Sequence, residues 1–224
     1  MPRIDRTEGR QLFGADPAAY DLGRPGHSPL VYEVLVERCG LGPGASVIEV
    51  GPGTGQATRR LLELGADPIL VVEPNPSLAE YLEELYGDRL ELARASLEEA
   101  NLEPRRFDLA AAASSFHWVD EPVGLARLFT VLRPGGWCAI WSTLFGDGYP
   151  PDPFIVATSP LLDGLDTSPT KGEDGRPRHA LDRERRVAAL VDAGFVDVEH
   201  ELARWEAQWD PEGIRALYAA SRRS

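Results

Sequence analysis

VIEVGPGTG, residues 47–55, is the stretch from which the rest of the chain can be read. Val47, Ile48 and Val50 make a short apolar run that suits a strand buried on both faces. Gly51, Gly53 and Gly55 then break it in a tight turn, and residues 54–64 continue as a helix. Strand, glycine turn and helix N-terminus form the nucleotide-binding corner of open α/β sheets, because glycine lets the backbone approach a ligand closely. The turn alone is a weak signal. Two acids sharpen it: Glu49, ahead of the first glycine, and Glu73, at the end of the next predicted strand.

The spacing is GxGxG, whereas a dinucleotide fold places its third glycine one position later and aims the helix N-terminus at a pyrophosphate. Glu49 would repel a pyrophosphate. It suits an ammonium or a sulfonium through direct or water-mediated contact, unless it is simply a surface acid at a strand end. Glu73 is placed to accept hydrogen bonds from two ribose hydroxyls, a role that dinucleotide folds share. Ser96, after the third predicted strand, either bonds an adenine edge or only caps its own helix.

Outward from this corner the chain alternates. Ser28-Pro29 opens a helix whose apolar positions run through Cys39, and Gly40, Gly42, Pro43 and Gly44 stop it. Strands are predicted at 46–50, 68–72, 89–93, 107–113 and 137–142, the last entered through Pro134-Gly135-Gly136. Helices are predicted at 75–86, capped by Asn75-Pro76, and at 122–132. A short one is capped by the box Ser96-Leu97-Glu98-Glu99. The expected fold class is α/β, a doubly wound, mostly parallel sheet with helices on both faces. Residues 144–180 lose the pattern and read as a lid or substrate loop, or as disordered chain. An amphipathic helix follows at 181–193, then one long strand or a strand pair at 195–209. Asp210-Pro211 caps a last helix. The 224 residues are expected to make a single domain: N-terminal cover helices at 1–40, a cofactor-binding core at 41–143, the lid at 144–180, and a C-terminal sheet and helix completion at 181–224.

The net charge of −13 argues against a nucleic-acid partner, which would be repelled on average. No apolar run approaches the ~18 residues of a membrane span, and MPRIDRTEGR lacks the apolar core of a signal peptide. The cytoplasm is the expected compartment, and no membrane partner is expected. Cys39 and Cys138 have no metal-ligand spacing and read as buried free thiols, and no metal site is expected. The Arg- and Ala-rich bias, with Lys171 the one lysine, points to a GC-rich bacterial genome.

Four runs in order, VIEVGPGTG, VVEPN, FDLAAAASSFHWVD and LRPGGWCAIW, resemble the class I S-adenosylmethionine-dependent methyltransferases. The likeness is to the small-molecule branch, methyltransferase type 11 and trans-aconitate methyltransferase-like proteins. It covers roughly residues 12–143 and, more loosely, 181–220. It implies the Rossmann-like methyltransferase fold and S-adenosyl-L-methionine as cofactor. Glu49 with Gly51, Pro52, Gly53, Thr54 and Gly55 would hold the methionine moiety, and Glu73 the ribose with Pro74 beside the adenine. Ala95, Ser96 and Leu97 stand at the adenine, where the family usually offers an Asp or Asn. Ser114, Ser115 and Phe116 would line the sulfonium. Tyr20 and Arg24, in YDLGRP, would cover the cofactor, Arg24 pairing with its carboxylate. His117 is the candidate catalytic residue, as base or orienter, with a packing role as the alternative; Trp118 would wall the substrate pocket. His27 is a weaker pocket candidate near Arg24.

The resemblance implies methyl transfer to O, N or C of a small molecule by in-line displacement. A non-catalytic S-adenosylmethionine-binding protein of the same fold is the alternative, and an NAD(P)-dependent oxidoreductase a remote one. Methylation of a nucleic-acid amine would call for an Asn/Asp-Pro-Pro-aromatic run where Ser114-Ser115-Phe116-His117 stands. The expected partner is a small-molecule methyl acceptor, with the chain a monomer or homodimer. The family continues past a helix like 214–220 with a closing antiparallel strand, whereas this sequence stops at Ser224. Either 195–209 supplies both late strands, or the C-terminal part is incomplete and an edge of the sheet stays open.

Overall fold

The computed structural model describes residues 17–144, 153–158, 160 and 179–222. Five strands, β1 (Ala45–Val50), β2 (Ala66–Val72), β3 (Glu91–Ala93), β4 (Phe107–Ala113) and β5 (Leu132–Trp141), form one sheet in the order β3-β2-β1-β4-β5. Every neighbouring pair is parallel. β1 is buried along its whole length, as a central strand covered on both faces must be. From β1 the chain builds outward to β2 and β3, then returns to the other side of β1 for β4. That reversal opens a crevice beyond the C-terminal ends of β1 and β4, the place where such sheets bind ligands.

The helices are α1 (Pro17–Gly23), α2 (Pro29–Glu37), α3 (Gln56–Glu63), α4 (Pro76–Tyr86), α5 (Glu121–Val131), α6 (Pro153–Thr158), α7 (Arg183–Asp192) and α8 (Pro211–Arg222). The strand pleat sorts the core. Ile48 and Val50 point to one face, with Ala110 and Ala112 of β4, under Leu125 and Leu128 of α5 and beside Ala189 and Leu190 of α7. Val47, with Val71 and Leu109, points to the other, under Leu35 of α2, Leu61 of α3 and Leu82 of α4. Small residues in β4 let α5 approach closely. The helices start where capping chemistry places them: the Asn75 side chain accepts from Ser77 N and Leu78 N at 3.0 and 3.2 Å, and Asp210 accepts from Gly213 N at 2.7 Å. The doubly wound parallel sheet is therefore as expected.

Three expectations need correction. Residues 96–99 make one hydrogen-bonded turn rather than a capped helix. Ser96 Oγ donates to Glu99 Oε2 at 3.1 Å instead of accepting a backbone bond, and Glu98 Oε1 is taken by Asp120 N at 2.8 Å. β5 begins at Leu132 and runs through Pro134-Gly135-Gly136, which causes a register shift against β4 instead of a turn before the strand. Residues 195–209 form no strand. Ala203, Trp205, Ala207 and Trp209 are half-buried while Arg204, Glu206 and Gln208 between them are exposed. The segment is held at its ends by Arg38 to Glu199 (2.8 Å) and Glu201, and by Trp209 Nε1 donating to Gly23 O at 2.9 Å. Its alternation reflects an extended segment laid on the surface without a ladder. Among the described residues β5 is therefore an edge of the sheet. The lid expected over 144–180 lies outside the described residues apart from Leu144, α6, Pro160 and the turn 179–181.

Candidate active site

A cavity of about 360 Å³ opens at the β1/β4 switch point. Its floor is the glycine turn. Gly51 (φ +62) approaches the loop after β4 so closely that a Cβ on it would lie 2.7 Å from Ser115 Cβ. Gly53 (φ +59) also needs the left-handed region, and the space where its Cβ would stand is open to the cavity. Pro52 and Thr54 line the floor beside it.

Glu73, buried at the end of β2, lines the wall. Its Oε1 accepts from Asn75 N at 2.9 Å and its Oε2 from Gly53 N at 3.3 Å, so one carboxylate ties the glycine turn to the start of α4. Pro74, Leu78, Ser96 and Leu97 continue this wall. Opposite in sequence, the end of β4 supplies Ser114, Ser115, His117 and Trp118. Ser114 sits at φ +54, a conformation that costs a non-glycine residue ~1–3 kcal/mol. It is held there by Ser114 N to Trp141 O (2.8 Å) and by Thr143 N to Ser114 Oγ (3.1 Å). The His117 and Trp118 rings lie 4.8 Å apart, tilted by 46°.

The remaining wall comes from Tyr20 of α1 and Arg24 just after it. The Arg24 guanidinium donates to Tyr20 OH and lies 5.4 Å from the Tyr20 ring centre. Side chains of the glycine corner pin this segment down: Thr54 Oγ1 donates to Asp21 Oδ1 at 3.2 Å and Gln56 Nε2 to Arg24 O at 2.9 Å. His27 follows in the same wall. Its Nδ1 is 3.0 Å from Thr143 Oγ1 and its ring stands edge-on to Trp141 at 5.7 Å. Burial, helped by the Arg24 charge, lowers the His27 imidazole to about 4, so it is neutral at physiological pH.

Fifteen of the expected residues thus meet around one cavity: Tyr20, Arg24, His27, Gly51, Pro52, Gly53, Thr54, Glu73, Pro74, Ser96, Leu97, Ser114, Ser115, His117 and Trp118. Four do not line it. Phe116 is packed in the core, and Ala95 lies partly buried against the same cluster. Gly55 packs under Leu82 and Tyr86, whose hydroxyl donates to Gly55 O at 3.0 Å. Glu49 lies beneath the turn, 0% exposed, with Oε2 accepting from Thr58 Oγ1 at 2.7 Å. Burial, helped by the charge on Glu73 and opposed by the Thr58 hydrogen bond, pushes its carboxyl up to about 7. Sequence reading passed over Gln56, Leu78, Ser142 and Thr143, which line the cavity; only the proximity of Gln56 to the glycine turn could have flagged any of them. Among the described residues no cluster of three or more His, Cys, Asp and Glu side chains could hold a metal ion, and no helix is long and apolar enough to cross a membrane.

Sheet order and glycine corner define the class: a class I methyltransferase fold. Residues 48–140 match the family model described as a methyltransferase domain, which bears out the resemblance. It is similar to an uncharacterized methyltransferase of Mycobacterium tuberculosis, 33% identical over 134 residues, covering 58% of this chain and 52% of that protein. Among solved structures it is similar to an S-adenosylmethionine-dependent methyltransferase from Mesorhizobium loti (TM-score 0.55, 22% identity, 77% of this chain and 81% of that one). It is also similar to phosphoethanolamine N-methyltransferase 2 of Haemonchus contortus, solved with phosphomonomethylethanolamine and S-adenosylhomocysteine (TM-score 0.58, 18% identity, 89% of this chain and 46% of that one). At these identities the structures establish the fold. The matched region spans about half the length of the curated relatives.

Proposed function

We propose that the chain is an S-adenosylmethionine-dependent methyltransferase acting on a small molecule. The observation that carries this reading is Glu73: a buried carboxylate on the wall of the switch-point cavity, bonded to the open glycine turn, with Arg24 in the same wall. The residues present fit the cofactor. An acid stands where a diol can donate to it, an open glycine backbone stands where a methionine chain needs close approach, and a guanidinium is available for a carboxylate. Bound there, S-adenosylmethionine would supply a methyl group already activated by its sulfonium.

Little chemistry is then asked of the protein. Glu73 would hold the ribose, and Ser96 and Leu97 the adenine side. Arg24 would anchor the amino-acid end while α1 keeps water off it. Holding acceptor, methyl and sulfur in line can supply ~7–11 kcal/mol of the barrier. Ser114, Ser115, His117, Trp118 and His27 line the cavity and would border the acceptor. His117, or the neutral His27, would take a proton only from an acceptor that carries one on the attacking atom. The acidic net charge supports a small acceptor over a nucleic acid. Free thiols at Cys39 and Cys138 support a reducing, cytoplasmic setting.

Transfer of a labelled methyl group from S-adenosylmethionine to carboxylic acids, phenols and amines tests the activity. Turnover on any class supports the enzyme. Tight cofactor binding with no transfer to any of them means a cofactor-binding protein of the same fold.

A further inference from the structure

Where β4 and β5 end, three polar side chains from distant parts of the chain meet on the cavity wall: Ser114, Thr143 and His27. Ser114 N donates to Trp141 O at 2.8 Å and Thr143 N donates to Ser114 Oγ at 3.1 Å, so the backbone after β5 is fixed against the loop after β4. Thr143 Oγ1 lies 3.0 Å from Nδ1 of His27, which comes from the cover segment 116 residues earlier. The His27 ring also stands edge-on to Trp141, 86° from its plane, so the imidazole is held from two sides. On its far side His27 borders a second hollow of about 560 Å³ between α2 and α3. Exposed Glu33, Glu37, Arg59 and Arg60 rim that hollow, so it opens to solvent. His27 thus stands between the cavity and the surface. Among the described residues Arg24 is the one arginine or lysine and Glu73 the one acid that line the cavity, and the proposed function gives both to the cofactor. The Thr143–His27 pair offers different chemistry. Burial and the Arg24 charge keep the imidazole neutral, ready to receive a proton. With its own hydrogen given to Nδ1, the Thr143 oxygen keeps its lone pairs for a donor in the cavity.

We propose that Thr143 and His27 form a proton relay for the methyl acceptor, and that the acceptor is a neutral alcohol or phenol methylated on oxygen. The inference rests on the reading of the cavity as an S-adenosylmethionine site. The acceptor O–H donates to Thr143 Oγ1, whose own O–H donates to His27 Nδ1. A lone pair of the acceptor oxygen forms the new bond to the methyl carbon, and the carbon–sulfur pair returns to sulfur, which leaves neutral. Positive charge gathers on the acceptor oxygen and makes its proton strongly acidic, so a base weakened by burial suffices to take it. That proton passes to Thr143 Oγ1 while the Thr143 proton passes to Nδ1. The imidazolium, which burial disfavours, then gives a proton to solvent through the outer hollow. A hydroxyl is the acceptor that needs this path. A carboxylate brings no proton on its attacking oxygen, and an ammonium must lose its proton before it attacks, which so weak a base does not take.

Nitrogen NMR of the full chain, labelled in its histidines, tests the relay without turnover. Thr143→Val should shift one histidine, His27, and Thr143→Ser should restore it. In the unaltered chain that ring should be neutral and protonated on Nε2, with Nδ1 accepting. A ring protonated on Nδ1, or no histidine shifted by Thr143→Val, overturns the relay. Incubation with methyl-labelled S-adenosylmethionine and an equimolar mixture of alcohols, phenols, carboxylates, phosphate esters and amines reads the acceptor class. Label should appear in uncharged, alkali-stable methyl ethers, and label in a methyl ester, a methyl phosphate or a methylamine overturns the proposal. No labelled product from a chain that binds the cofactor overturns the enzyme reading itself, a result distinct from label in the wrong class. On the hydroxyl acceptor so found, Thr143→Val and His27→Phe should each lower kcat roughly a hundredfold, within the range of a positioned base, and leave cofactor affinity unchanged. The double variant should be no slower than either single one, because the pair acts as a unit, and Thr143→Ser should recover the rate. Full turnover in Thr143→Val, or losses that multiply in the double variant, overturn the proposal. If His27→Phe does not fold, the Thr143 variants decide alone, since the backbone bond from Thr143 N to Ser114 Oγ survives in both.

Discussion

The imidazole of His27 and the carboxyl of Glu49 are both held uncharged by burial, and the pH response of folding follows from that. His27 takes a proton at about 4 in the native chain against 6.5 ordinarily, so the unfolded chain binds more protons in between and stability falls as pH drops through that window. Glu49 keeps its proton to about 7 against 4.5 ordinarily, so stability falls as pH rises from 4.5 to 7. The two slopes oppose each other where the windows overlap. Denaturant midpoints measured across that overlap should be nearly flat for the unaltered chain, fall with pH in His27→Gln and rise with pH in Glu49→Gln. Each pH unit between native and unfolded values is worth ~1.4 kcal/mol, so a common slope in all three proteins would refute the assignment. His117 makes a separate prediction: His117→Ala should lower turnover without changing cofactor affinity, and unchanged turnover removes it from the catalytic roles. Residues whose role is set by the local backbone were legible in the sequence. Gly51 and Gly53 are needed for a turn that begins where the strand ends, and Glu73 stands at the next strand end. Thr143 was not legible, because its place depends on meeting His27, 116 residues away.

At the scale of elements, α4 starts at the Asn75 cap, and the same turn carries the Glu73 bond to Asn75 N. Asn75→Ala should cost about 0.5–2 kcal/mol in thermal or denaturant unfolding, as N-caps do, and a smaller loss would mean that Pro76 and packing set this helix start by themselves. α1 is too short to be stable alone and is held by side chains from elsewhere: Thr54 and Gln56 from the glycine corner, and Trp209 from the segment before α8. Trp209→Phe keeps the ring and removes the hydrogen bond to Gly23 O. Amide exchange in residues 17–24 should speed up and cofactor release should become faster, whereas unchanged exchange would show that Trp209 does not hold α1. Helix starts were readable because Asn-Pro and Asp-Pro pairs cap and begin a helix through local geometry. The strand expected at 195–209 was not, because alternation records which side chains are covered and is silent on whether a backbone ladder forms. The capping box at 96–99 failed because the Ser96 hydroxyl donates to the Glu99 carboxylate in place of the reciprocal backbone bonds, while Glu98 is drawn to Asp120 N far along the chain.

At the scale of the molecule, the parallel order β3-β2-β1-β4-β5 puts every expected cofactor segment at one end of the sheet. That arrangement was legible because the alternation of strands and helices leaves few right-handed windings to choose from. The rest of the cavity wall was less so. It draws on 142–144 and Ala180, which share no periodic pattern, and residues 145–152 and 161–178 between them lie outside the described structure. Glu73 and Arg24 line the other half of the cavity, where the proposed function has them hold the ribose and the carboxylate. Calorimetry with S-adenosylmethionine, S-adenosylhomocysteine and NADH, on the unaltered chain and on Glu73→Ala, tests it most directly. The two adenosyl ligands should bind and NADH should not, and Glu73→Ala should weaken both by about 1.5–3 kcal/mol, the worth of hydrogen bonds to a charged acceptor. Binding of NADH without either adenosyl ligand, or full affinity in Glu73→Ala, would contradict the account.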